Sequence, residues 1–305
     1  MTSLKARGAA PQYPPPLVIQ PTSGTHLQSF LILHGRGSNG EKFGLEMIQT
    51  TIPGFETLPD AFPNAKFVFP TAAKRRAVIY KRTPVSQWFD NYHLNAATER
   101  EELQFDGLRQ SASFVHELMQ SEIATVGAEN VILWGLSQGC AMSLISSLLW
   151  HGPRFAAVIG MCGWLPLRKR IEDSLLDESR EQDDDPFGRD STEQEKSSLQ
   201  EAIEYLREEL EISGSDASPE STATVPRFLG HGTEDDRVPI KLGREAAQLL
   251  RRLELNVSFK EYEGLGHWYS PQMLTDIIEF IESSTGWKAK RAEGTRALPK
   301  ADEQI

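Results

Sequence analysis

Residues 131–144 read "VILWGLSQGCAMSL", which sets Ser137 between two glycines where an apolar, strand-like run gives way to a helix with an apolar stripe. A strand, a G-x-S-x-G turn and a helix are the parts of a nucleophile elbow. In that geometry a strained turn lifts the serine hydroxyl above the sheet and leaves the next backbone N–H, that of Gln138, beside it. The same spacing also serves an ordinary glycine-bounded turn, so a nucleophilic role requires that a base and an acid accompany the serine.

Serine attack needs a histidine to take the proton and a carboxylate to hold that histidine in the right tautomer. In α/β-hydrolases these follow the serine in the order acid, then histidine. Beyond Ser137, the run "RFLG" enters "HGTEDDRVP" and the run "VSFKEY" enters "EGLGHWYSP". Each places polar residues just after a strand's carboxyl end, the edge where such sheets gather their sites. His267 is the base candidate, and Asp235 and its neighbour Asp236 are the acid candidates. His34 and His231 stand in "HG" pairs after strand-like runs and are expected to hold their loops by hydrogen bonds. His26, His93, His116 and His151 have no such placement. Cys140 falls inside the helix after the elbow and reads as a small buried hydrophobe. No HExxH or zinc-spaced Cys/His cluster occurs, so no metal site is expected.

An early glycine-rich stretch, "LILHGRGSNG", can turn backbone N–H groups toward the nucleophile and supply the second donor of an oxyanion hole. Its glycines at positions 35, 37 and 40 also match the dinucleotide pattern GxGxxG. Against a nucleotide, "EKFGLEMI" is a poor glycine-fed helix start, and no acidic residue closes a second strand nearby.

These loops need a sheet to carry them. Apolar runs such as "SFLILHG", "KFVFP", "NVILWG" and "FAAVIGMCG" alternate with amphipathic stretches, as in 106–123, where Leu108, Ala112, Val115, Met119 and Ile123 share one helical face. Such alternation predicts an α/β fold, a mostly parallel central sheet with helices on both faces. The expected layout is a Pro-rich extension over 1–16, one domain over 17–286 with an acidic insertion at 169–220, and a polar tail over 287–305. Within the insertion, 177–191 is too charged to bury much surface and is expected to be disordered. A capping box of Thr192 and Glu195 then predicts a helix from 192 to 212 whose Leu199, Ile203, Leu206 and Leu210 complete the core, the alternatives being a lid or a partner-binding helix.

The net charge is −11, but residues 169–220 alone carry 18 acidic and 6 basic side chains, which leaves the rest of the chain at +1. No basic field suggests a nucleic-acid partner. No apolar run approaches membrane-spanning length, the first residues lack a secretory signal's apolar middle, and the cysteines, Cys140 and Cys162, form no disulfide framework. A cytoplasmic location is expected.

The blocks "LHGRGSNG", "WFD", "GLSQGCAMSL", "WLP", "HGTEDDRVP" and "YEGLGH", in that order, resemble the acyl-protein thioesterase, or phospholipase/carboxylesterase, family of serine hydrolases. The resemblance runs from Phe30 to Ser284 apart from the insertion. It implies an α/β-hydrolase fold, no cofactor, and hydrolysis of esters or thioesters of lipid-like acyl groups on small molecules or acylated proteins. It aligns the acid with Asp235 and gives the oxyanion hole the N–H groups of Arg36 and Gln138. Trp88 and Phe89 of "WFD" and Trp164, Leu165 and Pro166 of "WLP" are candidates for the acyl-chain wall, with simple core packing as their other role. Arg36 replaces the family's usual leucine, Ser38 its aspartate and Cys140 a common glycine. The Arg36 side chain is expected to point to solvent; the alternative is selection of acidic substrates. The N-terminal cysteine that carries a lipid in some members is missing, so no stable membrane anchor is implied. A non-catalytic binding or scaffold protein on the same fold is the rival to an enzyme.

Overall fold

The computed structural model describes residues 11–94, 98–183, 196–212 and 219–292. Its strands are β1 (Leu17–Ile19), β2 (Gln28–Leu33), β3 (Ala65–Phe69), β4 (Lys74–Ala77), β5 (Thr83–Ser86), β6 (Val131–Leu136), β7 (Ala157–Met161), β8 (Arg227–Gly232) and β9 (Val257–Tyr262). One sheet runs in the order β1-β3-β2-β6-β7-β8-β9. All its neighbours are parallel except the edge pair, β1 with β3. β4 and β5 form a separate antiparallel ribbon.

Parallel strands covered on both faces need apolar side chains at every position, and β6 and β7 are buried throughout. The two-residue period of a strand then divides those side chains between two cores. Phe30, Ile32, Ile132, Trp134 and Ile159 face α1 (Gly40–Ile48), α2 (Leu58–Ala61) and α9 (Pro271–Thr285). Leu31, Leu33, Leu133, Val158 and Leu229 face α3 (Glu102–Val126), α4 (Gln138–Leu148), α6 (Ser198–Glu209) and α8 (Ile240–Arg252). The predicted face of α3 is borne out, with Leu108, Ala112, Val115 and Met119 buried and Ile123 packed at the edge. Among the described residues, no helix is long and apolar enough to cross a membrane.

Several local expectations change. "EKFGLEMI" does form a helix, α1, because the Asn39 side chain accepts the Lys42 N–H at 2.7 Å and caps it. Gly40 and Gly44 let that helix lie against β3, where an added Cβ would meet the Phe69 carbonyl oxygen at 2.0 Å and the Phe69 ring at 2.7 Å. These glycines therefore serve packing.

Of the stretch expected to be disordered, 184–191 lie outside the described residues, and the backbone of 177–183 is helical, as the last part of α5 (Arg168–Asp183). The charges of its first turns find partners. Arg168 pairs with Glu172 and Glu245, while Arg170 bridges to Glu101 at 2.7 Å and to Glu209 at 2.8 Å, tying α5 to the start of α3 and to α6. Thr192 and Glu195 lie outside the described residues. α6 instead starts beyond Ser197, whose side chain accepts the Gln200 N–H. Its stripe of Leu199, Ile203, Leu206 and Leu210 is buried in the core, as expected, and α7 (Pro219–Ala223) leads from it into β8. Of the sequence-defined tail, Trp287 is buried against Phe30 and Phe62, and the N–H groups of Lys290 and Ala292 bond the carbonyls of Ala61 and Gly54. Tyr13, from the Pro-rich extension, stacks on Phe114 of α3 at 3.8 Å.

Candidate active site

Ser137, Asp235 and His267 follow the carboxyl ends of β6, β8 and β9, on one edge of the sheet. Ser137 adopts φ 57° and ψ −120°, a conformation that disfavours a residue with a Cβ. The surroundings hold it there. Its N–H bonds the Met161 carbonyl of β7 at 2.8 Å, and its carbonyl accepts the Ala141 N–H in the first turn of α4. The elbow is crowded: a Cβ on Gly135 would meet the Gly139 backbone at 2.2 Å, and one on Gly139 would meet the Leu33 carbonyl oxygen at 2.1 Å. Both glycines of the motif are thus required by close backbone approach.

The loops carrying Asp235 and His267 are tied to each other before they meet the serine. The N–H groups of Thr233 and Glu234 bond the carbonyls of Tyr262 and Leu265. His267 then bridges the site, with Nδ1 2.7 Å from Asp235 Oδ2 and Nε2 2.9 Å from Ser137 Oγ. Burial pushes the Asp235 carboxyl upward, but hydrogen bonds from His231, His267 and the Val238 N–H outweigh it and hold the group well below the usual carboxylate range. An ionised carboxylate only accepts, so His267 Nδ1 carries the proton and Nε2 is left to accept one from Ser137. Asp235 Oδ1 receives the N–H groups of Arg237 and Val238 at 3.0 and 2.8 Å, and His231 Nε2 lies 3.2 Å from Oδ2. Asp236 is exposed.

His34 and His231 do hold loops. His34 donates from Nδ1 to the Gly35 carbonyl at 2.7 Å and accepts the Ala72 N–H at Nε2, and His231 Nε2 meets the Val238 carbonyl. The His34 ring must be neutral, because a protonated Nε2 would oppose the Ala72 N–H. Burial lowers His34 and His116 alike to about 4. A depressed folded-state value means that the unfolded chain binds protons first. The stability present above pH 6.5 is therefore lost as pH falls toward 4, by about 2 kcal/mol for each ring by pH 5. Denaturant midpoints at pH 7 and pH 5 check this, and a total loss under about 1 kcal/mol contradicts two buried neutral rings.

Cys162 stands behind Asp235 and His267, its Sγ and their facing atoms lying within 4.8 Å of one another. Burial first, then the Asp235 charge, push its thiol up to about 12, while Asp235 and His267 are already engaged with each other. Burial also raises the Cys140 thiol far above its ordinary range. Cys140 packs into the space left by Gly160 and Gly163, whose added Cβ atoms would lie 2.5 and 2.4 Å from its Sγ.

A cleft of about 710 Å³ opens over Ser137, walled by Phe43, Tyr80, Leu94, Trp164 and Trp268. Of the expected acyl wall only Trp164 lines it. Leu165 and Pro166 lie around a neighbouring cavity of about 40 Å³. Trp88 and Phe89 are fully buried behind the cleft, contrary to a lining role. The reason is hydrogen bonding: Trp88 Nε1 donates to the His34 carbonyl, the Trp88 N–H donates to Gln138 Oε1 at 3.0 Å, and Gln138 Nε2 donates to the Phe89 carbonyl at 2.7 Å. This segment therefore braces Gln138. Asn91, next in the chain after "WFD", accepts from both Gln138 Nε2 and Arg36 Nη1 and links the two residues assigned to the oxyanion hole. Arg36 itself is not free in solvent, because its guanidinium lies 5.4 Å from the Tyr80 ring centre. Phe43, Tyr80, Leu94, Asn91 and Trp268 are not singled out by the sequence; only Trp268, beside His267, carries a positional signal. No residue of α6 lines the cleft among those described.

With this geometry in view, known proteins sharpen the assignment. The chain matches the phospholipase/carboxylesterase family over residues 15–181 and 210–285, so α6 lies in the unmatched stretch. Acyl-protein thioesterase 1 of Gibberella zeae is 24% identical over 270 residues, covering 87% of this chain and 94% of its own length. That of Candida albicans is 24% identical over 274 residues, covering 86% and 95%. The crystal structure of Zea mays acyl-protein thioesterase 2 superposes with a TM-score of 0.62 at 25% identity over 89% of this chain and 99% of that one. Arabidopsis thaliana SOBER1 gives 0.60 at 25% identity over 84% and 98%. The protein is a hydrolase of the esterase class, and the chain belongs to the phospholipase/carboxylesterase family of α/β-hydrolases.

Proposed function

We propose that the protein cleaves carboxylic esters or thioesters of lipid-like acyl groups, on small molecules or acylated proteins in the cytoplasm, through an acyl-enzyme formed on Ser137. The observation that carries this reading is the His267 ring, set between Ser137 Oγ at 2.9 Å and Asp235 Oδ2 at 2.7 Å. His267 Nε2 takes the hydroxyl proton as Ser137 Oγ attacks the acyl carbonyl, and Asp235 stabilises the imidazolium that forms. The N–H groups of Arg36 and Gln138 receive the oxyanion. Gln138 opens α4, where the first N–H groups have no intrahelical partner, and each such donor contributes about 3 kcal/mol to the transition state. Collapse of the tetrahedral species breaks the carbonyl bond to the alcohol or thiol, which leaves with the proton from His267. A water then repeats the sequence and frees the acid. Trp164 forms the acyl wall with Phe43, Leu94 and Trp268, while Trp88 and Phe89 act only by supporting Gln138.

A fluorophosphonate probe tests this directly, because it phosphonylates a serine only where base and oxyanion donors are assembled. The expected result is one adduct per chain, on the peptide containing Ser137, absent after heat denaturation. A folded protein that takes no adduct sinks the enzyme mechanism and leaves the binding-protein reading.

A further inference from the structure

The cleft is positively lined. Arg36, Lys42 and Arg237 border it against one acid, Glu46, whereas the chain outside the 169–220 insertion is close to neutral, at +1. Among the described residues none of these three cations has a carboxylate at ion-pair distance. Asp90 is near enough for its charge to interact with Arg36, but both of its oxygens face the Val78 N–H. A net excess of one sign over a low-dielectric wall concentrates its field in the cleft.

Arg36 is the organised member. Its guanidinium rests over Tyr80 and donates from Nη1 to Asn91 Oδ1 at 3.0 Å, with a longer contact of 3.4 Å to the Asn91 carbonyl. Asn91 is buried and held in turn by Gln138 Nε2. Among the described residues only Nη1 has an acceptor, so the Nε and Nη2 donors remain for a ligand, already fixed in direction. The backbone N–H of this same residue is assigned above to the oxyanion hole, which places the guanidinium within one side chain's length of the scissile carbonyl. Lys42 on α1 and Arg237 on the Asp235 loop add charge from the rim.

We propose that Arg36, assisted by Lys42 and Arg237, forms an anion subsite in the cleft that selects esters or thioesters carrying a carboxylate or phosphate a few bonds from the scissile carbonyl. The subsite rests on the hydrolase reading given above and names its substrate class.

The test compares kcat/KM within matched ester pairs, followed by acid release at low salt. One arm puts the anion on the acyl side, 4-nitrophenyl hemiglutarate against 4-nitrophenyl pentanoate. The other puts it on the alcohol side, 3-carboxyphenyl butyrate against phenyl butyrate. In at least one arm the anionic ester is expected to be preferred by about tenfold, with the preference shrinking in salt. Arg36→Met brings that ratio close to one and Arg36→Lys keeps part of it. The ratio is taken within each variant, so a general loss from a disturbed oxyanion hole cancels. If Arg36→Met does not fold, the Lys42→Gln/Arg237→Gln double variant, altered only at exposed side chains, is expected to reduce the ratio by about twofold. Neutral esters preferred or matched in both arms, or a ratio unmoved by these substitutions, overturn the subsite while leaving the hydrolase intact. No turnover of any of the four esters overturns both.

Discussion

Ser137→Ala is expected to lower kcat by about 10⁶-fold while the protein stays folded, because it removes the nucleophile and nothing that holds the elbow. The backbone bonds that fix the turn, from the Ser137 N–H to Met161 and from Ala141 to the Ser137 carbonyl, do not involve the hydroxyl. Alanine keeps the Cβ and hence the same unfavourable φ of 57°. The activity expected to remain over water comes from the oxyanion donors and from substrate binding. Steady-state hydrolysis of a short-chain 4-nitrophenyl ester, with denaturant midpoints measured alongside, reads both quantities. A loss under about 100-fold in a folded variant excludes Ser137 as the nucleophile.

The second large effect separates two neighbouring aspartates. Asp235→Asn is expected to cost about 10⁴ in kcat, and Asp236→Asn less than about twofold. The Asp235 carboxylate takes donors on both oxygens: Arg237 and Val238 N–H on Oδ1, His267 Nδ1 on Oδ2. An amide can keep one of these oxygens as an acceptor. With the two backbone N–H groups fixed, the amide nitrogen falls opposite His267 and favours the tautomer whose proton sits on Nε2, which cannot accept from Ser137. Asp236 is exposed and has no part in this network. Equal losses at the two positions, or the larger loss at Asp236, refute the assignment. The Asp235→Asn variant should still bind a non-hydrolysable substrate analogue with little change, since Asp235 does not line the cleft.

Much of the site is legible in the chain itself because the signals are local. A buried strand, a glycine-bounded turn and a helical stripe involve residues next to one another, so "VILWGLSQGCAMSL" announces its own shape. The same holds for the loops carrying Asp235 and His267, each placed by the strand it follows. The insertion misleads in part for the opposite reason. Charge density predicts disorder for 177–191, yet the backbone of 177–183 continues α5, a helix whose first turns are held by Arg170 reaching Glu101, 69 positions away.

The sequence by itself determined the alternation of strands and helices, the elbow serine, and the two loops that carry Asp235 and His267, since each depends on periodicity or on a residue's distance from a strand end. Only the tertiary structure decided which aromatic rings face the cleft. Trp88 and Trp268 both neighbour a site residue in the chain or in space, but Trp88 Nε1 finds the His34 carbonyl inside and Trp268 stays 38% exposed at the rim. Sequence periodicity cannot choose between two covered faces of a sheet. Nor could it orient Arg36, whose anchor, Asn91, lies 55 positions along the chain and reaches it only when the sheet edge brings the two loops together.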